Sequence, residues 1–240
     1  MNNRYPHISH KKTGVILLAK QNLTFELRRL LKNAEIVATP LPLTPEIRLY
    51  LLRHDYRQED LTDEERCVLM DEPPFWAFCW SSGQVLAKWL RDFEGGLAGK
   101  RVLDFGSGSG IAAIAASLSG AREVIALDTD PLSRRAIEAN AELNNVTVTP
   151  AANLDSLRGD FDIILAADVL YDRNNLQLLD IFIERSKLVV VADSRVKELP
   201  APYAKIGSGM AITCPDLDEP EEFRHVAIFT AERIRESHSL

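Results

Sequence analysis

A chain of 240 residues, 46% hydrophobic and 26% charged, is long enough to bury a sizeable core and too apolar to stay disordered. A net charge of −7 argues against a broadly basic nucleic-acid-binding surface. Three scattered cysteines (Cys67, Cys79, Cys214) argue against a disulfide framework and a zinc site, and no apolar run approaches the roughly 20 residues that cross a bilayer. These features lead us to expect no metal, no nucleic-acid partner and no membrane, in a monomer of a reducing compartment: the cytoplasm, or the mitochondrial matrix in a eukaryote.

The first 33 residues hold seven basic side chains and one acid, Glu26, which reads as a basic solvated helix before it reads as a transit segment. A helix is expected over Thr24–Asn33, then a proline-marked stretch (Pro40, Pro42, Pro45), then a charged segment, Arg53–Arg66. We take residues 1–70 as an N-terminal helical extension, a cap that docks on a domain spanning 71–240. From residue 100 the pattern alternates. Strands are expected at Arg101–Asp104, Glu123–Leu127, Asn145–Thr149, Phe161–Ala166 and Leu188–Val191, with helices to about Ser119, over Pro131–Asn144 and over Asn174–Arg185. Met210–Thr213 and Val226–Phe229 supply two further strands as an antiparallel pair. Alternation over short connections implies a doubly wound parallel α/β sheet with helices on both faces.

Asp104-Phe-Gly106-Ser107-Gly108-Ser-Gly110 follows the first of these strands and opens a helix, where such sheets hold nucleotide-like ligands. The spacing is G-x-G-x-G. A pyrophosphate fingerprint wants G-x-G-x-x-G/A, and Ile111 fills its last small position. A carboxylate at Asp104 suits an ammonium and repels a pyrophosphate. Asp128 ends the next strand, followed by Thr129, and is placed to take two ribose hydroxyls. The plainer alternative is a tight structural turn with Asp128 as a helix cap.

The combination resembles the class I S-adenosylmethionine-dependent methyltransferases. That resemblance implies a Rossmann-like seven-stranded sheet, mostly parallel with an antiparallel last strand. It also implies S-adenosyl-L-methionine held by Asp104, Gly106, Ser107, Gly108, Asp128 and Thr129. Asn153 matches a position that contacts adenine in this class; an ordinary loop asparagine is the alternative. A nicotinamide-dependent oxidoreductase is the reading from another enzyme class, disfavoured by the glycine spacing and by Asp104.

Asp168-Val-Leu-Tyr171, after the fourth strand, looks like the (Asp/Glu)-x-x-(Tyr/Phe) motif of seven-strand protein lysine methyltransferases. Phe75-Trp-Ala-Phe-Cys-Trp80-Ser-Ser-Gly83-Gln84, Pro45-Glu-Ile and Asp193-Ser-Arg195 resemble the lysine methyltransferases of the electron transfer flavoprotein β-subunit. Ser81-Ser82 and the short Asp193-Ser-Arg195 depart from the Pro-Gly and Asp-Pro-Gly-Arg of that family's animal members. The resemblance implies a protein substrate, that β-subunit, with Trp80 beside the cofactor, Asp168 as the catalytic acid that also borders the cofactor, and Tyr171 as a wall of the channel. A ribosomal protein, or a small amine such as nicotinamide, remains the alternative target. Trp76 and Trp80 also fit a purely structural reading, in which i, i+4 spacing puts both on one helix face in the core. Asp216–Glu222 reads as a solvated loop or as an acidic lip for a lysine-bearing protein.

Overall fold

The structure is a computed structural model that describes residues 9–56, 61–71, 73–170 and 173–233. In chain order the elements are α1 (Ser9–Leu30), β1 (Ile36–Pro40), β2 (Arg48–Leu52), α2 (Asp63–Asp71), α3 (Ser81–Asp92), β3 (Arg101–Phe105), α4 (Ile111–Leu118), β4 (Glu123–Leu127), α5 (Pro131–Leu143), β5 (Thr149–Ala151), β6 (Phe161–Ala167), α6 (Leu178–Arg185), β7 (Ser186–Asp193), β8 (Ala204–Met210) and β9 (His225–Glu232).

Seven strands pair in the order β5-β4-β3-β6-β7-β9-β8, and β9 alone runs opposite to the other six. This is the mostly parallel Rossmann-like sheet expected from the sequence. Strand alternation splits the core into two layers. Val102, Ile163, Leu165 and Val190 face α3 and α4, whereas Leu103, Ile164, Val189 and Val191 pack with Leu179 and Phe182 of α6. The order reverses between β3 and β6, so the crevice lies at their carboxyl ends.

The N-terminal region differs from the expected helical cap. It holds a β-hairpin, with Leu49 and Leu51 of β2 in the same apolar cluster as α3 and α4. Tyr50 and Leu52, alternating with them, pack with Leu23 and Leu27 of α1. A strand covered on both faces carries no hydrophobic alternation, which is why it escaped a periodicity reading. Its free edge is closed by two asparagines one turn apart, Asn140 in α5 and Asn144 at its C-terminal cap. Asn140 Oδ1 accepts from Tyr50 N (2.7 Å), and Asn144 accepts from Arg48 N (2.9 Å) and donates to Arg48 O (2.6 Å).

Other boundaries move for local reasons. α1 runs from Ser9 to Leu30 and does not start at Thr24. β5 begins at Thr149, not Asn145, because Asn145 adopts φ 55° and Val146 N bonds back to Ala141 O as α5 ends. The stretch expected as one helix from Asn174 opens with a 3-10 turn, Arg173–Gln177. The penultimate strand is Ala204–Met210, not Met210–Thr213: Ala211 N turns to Arg224 O, and Cys214 pairs with Cys79. Trp76 and Trp80 do not share a helix. Trp76 sits in the 3-10 turn Phe75–Ala77, and Trp80 is the extended cap of α3.

Asn140 is fully buried, and its Nδ2 also donates to Ser109 O at 2.8 Å. Asn140→Ala leaves Tyr50 N and Ser109 O without partners, and an unpaired buried group costs about 1–3 kcal/mol. Urea unfolding of this variant should show a loss of roughly 2–4 kcal/mol, and a loss within error would assign those groups other partners.

Candidate active site

Strand β3 delivers Asp104 and Phe105 into a turn whose glycines take positive φ. A Cβ on Gly106 (φ +68°) would lie 2.7 Å from Val169 Cγ1, so the loop after β6 can approach only a bare backbone. A Cβ on Gly108 (φ +53°) would meet nothing within 4 Å, since this residue faces open space.

Four N–H groups of the turn are taken by the chain itself. Gly106 N and Ser107 N donate to Leu127 O, and Gly110 N donates to Ser107 O. Gly108 N donates to Asp128 Oδ2 at 2.8 Å, and Ala113 N in the first turn of α4 donates to Asp104 Oδ2 at 3.0 Å. Ser107 Oγ donates to that same oxygen at 2.5 Å. Asp104 therefore caps α4 through Ala113 N, and its carboxylate, together with that of Asp128, occupies the side of the turn where dinucleotide folds hold a pyrophosphate. Asp128 is not the cap of α5; Asp130 is, accepting from Leu132 N and Ser133 N.

Asp104 is 2% exposed, and burial pushes its carboxyl up to about 6 against the two hydrogen bonds that lower it, with the Asp128 charge adding to the rise. Burial raises Asp128 as well. Both border a cavity of about 1110 Å³ whose sole cationic lining side chain, among the described residues, is Arg195. Two carboxylates beside a single cationic side chain favour a ligand that carries positive charge. Trp76 also borders the cavity, and its buried Nε1 has no hydrogen-bond partner.

Asp168 borders the same cavity from the end of β6. Its φ of 51° is left-handed, an uncommon state for a residue with a side chain. Three donors converge on Oδ1: Ser82 Oγ at 2.6 Å, Ser194 Oγ at 2.9 Å and Ser194 N at 3.2 Å. Asp193 next to it is 1% exposed, raised by burial and then by the Asp168 charge, and accepts from Arg195 N and Val196 N. Arg195 lies over the Phe223 ring and pairs loosely, at 3.7 Å, with Glu219.

The structure thus brings Trp80, Asp104, Gly106, Ser107, Gly108, Asp128, Thr129 and Asp168 around one cavity. Asn153 is not among its lining residues. Exposed, it accepts from Ser156 N in its own turn. Tyr171 lies outside the described residues. Sequence reasoning missed Ser82 and Ser194 as partners of Asp168, because a serine carries no signal of the carboxylate it meets across the fold. Of the 216–222 run, read from the sequence as a solvated loop or an acidic lip, Glu219 is the member that borders the cavity.

Known proteins resemble this chain along most of its length. The electron transfer flavoprotein beta subunit lysine methyltransferase of Rattus norvegicus is 32% identical over 191 residues, covering 77% of this chain and 70% of the relative. The chain belongs to that family. It is an S-adenosylmethionine-dependent protein-lysine methyltransferase. The Xenopus laevis member is 41% identical over 154 residues, covering 62% of this chain and 61% of its own length. The family model for ribosomal protein L11 methyltransferase (PrmA) matches residues 85–176, from α3 to the loop after β6. Magnesium protoporphyrin IX methyltransferase from Synechocystis PCC 6803, solved with bound SAM, shares the fold at a TM-score of 0.51 and 16% identity, covering 98% of this chain and all of that one.

The buried acid of this methyltransferase gives a pH test. A carboxyl raised in the folded state stabilises the fold below its unfolded pKa near 3.9, and that contribution is lost as pH rises through about 6. Asp104→Asn keeps an acceptor for Ser107 and Ala113 without the charge. The ligand-free variant should gain stability over the parent between pH 5 and 7, up to about 3 kcal/mol at about 1.36 kcal/mol per pH unit. Parallel urea curves with no pH-dependent difference would contradict this.

Proposed function

We propose that this methyltransferase acts on lysine of the electron transfer flavoprotein β-subunit, as the names of its relatives state for those proteins. We further propose that it works as a monomer, in the cytoplasm or, in a eukaryote, the mitochondrial matrix. The observation that carries the chemical reading is the Asp168 carboxylate, held through one oxygen at the rim of the cavity that Asp104 and Asp128 also border.

S-adenosylmethionine, when bound, supplies a methyl group already activated on sulfonium. The residues present suit it. Gly108 leaves open space, Asp104 offers a carboxylate to an ammonium, and Asp128 offers its carboxylate to ribose hydroxyls. Gly106, Ser107 and Thr129 complete that wall, with Trp80 and Asp168 on the side towards the substrate. Asn153 remains a candidate for adenine only if its carboxamide leaves the bond to Ser156.

The chain's own task is to bring in a lysine and present its nitrogen unprotonated. Deprotonating a free lysine at pH 7 costs roughly 4–5 kcal/mol, and a desolvated pocket lowers that cost. An isolated acid beside the amine would raise it. Three donors on Asp168 Oδ1 spread its charge and fix its direction, so that it aims the amine while the proton leaves to water. Tyr171 is assigned to the channel wall.

Asp168→Asn should cut turnover at least tenfold, with affinity for S-adenosylhomocysteine within a few-fold by calorimetry. Ser82→Ala should lower turnover less, again sparing that affinity. Near-normal turnover in the first variant would remove Asp168 from the mechanism. Asp216, Asp218, Glu221 and Glu222 are exposed beside Glu219, and we assign them to attracting a basic face of the substrate. Added salt should slow methylation of the protein more than it weakens cofactor binding; equal sensitivity would return the run to a solvated loop.

A further inference from the structure

Two thiols oppose one another on segments that reach the cavity. Cys79 and Cys214 form an isolated antiparallel bridge, each N–H donating to the other's carbonyl at 2.8 and 2.9 Å. Residues that exchange both bonds in this way have Cα atoms about 5.5 Å apart with side chains on the same side, inside the roughly 4.4–6.8 Å that a disulfide spans. Both belong to one apolar cluster, Cys79 fully buried and Cys214 partly exposed. The bridge ties the 75–80 segment ahead of α3 to the stretch after β8. Those segments carry Trp80 and Glu219, which both border the cavity.

We propose that Cys79 and Cys214 are a redox-modification site, converted by a peroxide-class oxidant into an intramolecular disulfide that clamps the cavity mouth. The more accessible Cys214 reacts first. Its thiolate attacks a peroxide oxygen, the O–O bond breaks, and the sulfur becomes a sulfenic acid with release of hydroxide. The Cys79 sulfur then displaces water from that sulfenic acid, and the S–S bond forms. Overall two thiols and one hydrogen peroxide give a disulfide and two waters; the sulfurs lose two electrons and the peroxide gains them.

Burial keeps both thiols protonated at neutral pH, so the reaction accelerates as pH rises. Opposed Cβ atoms start about 4.5–5.5 Å apart and must close to roughly 3.5–4.5 Å, which leaves the bond under tension and open to reduction. The exposed Cys67 takes no part and is removed to prevent cross-linking between molecules.

The test uses the full chain carrying Cys67→Ser. It is treated with hydrogen peroxide, alkylated under denaturing conditions and mapped as peptides. A linked Cys79–Cys214 peptide is expected, forming faster above neutral pH and disappearing with dithiothreitol. Methyl transfer to the electron transfer flavoprotein should fall several-fold on oxidation and return on reduction, with no such loss in Cys214→Ser. The mapping does not depend on the substrate assigned above. Two alkylated cysteines, or a Cys214 sulfinic acid without the link, would overturn the site. A link that leaves turnover unchanged would overturn the clamp.

Discussion

The turn between β3 and α4 works because two carboxylates take backbone N–H groups that would otherwise be orphaned. Asp104 caps α4 through Ala113 N, and Asp128 takes Gly108 N. Each bond places a negative group where the helix end and the turn are electron-poor, which is where such groups are most stabilised. The same acids bias the ligand class. With two carboxylates bordering it, the crevice repels a pyrophosphate and favours positive charge, as the family's cofactor carries.

That turn is braced from outside. Asn140 joins its Ser109 carbonyl to Tyr50 of the N-terminal hairpin, and Asn144 binds the same hairpin one helical turn further along. The β1–β2 hairpin is thus wedged between α1 and the sheet domain, sharing apolar clusters with both. Strain at the end of β6 has a counterpart in this design. Asp168 holds a left-handed backbone while three donors from two other segments fix its carboxylate, so its geometry is over-determined by its surroundings.

Chemistry and packing meet at that carboxylate. A lone acid next to a lysine would hold the amine in its charged, unreactive form. In the role we propose for Asp168, sharing its charge with Ser82 and Ser194 moderates this and leaves an aiming device. Ser82 puts a hydroxyl 2.6 Å from Asp168.

The sequence by itself determined the alternating strands and helices, the glycine turn and the acids at strand ends, because each of these is a local pattern with one dominant physical reading. β4 was legible to the residue, since Glu123–Leu127 is a short apolar run bounded by turns. Only the tertiary structure decided what depends on partners far along the chain. The hairpin strand covered on both faces, the break between Trp76 and Trp80, the glycine-rich edge strand β8 and the serines around Asp168 are of this kind. A hydrogen bond across 86 residues, such as that from Ser82 to Asp168, leaves no periodicity in the chain, because its geometry exists only once the sheet has brought the two ends together.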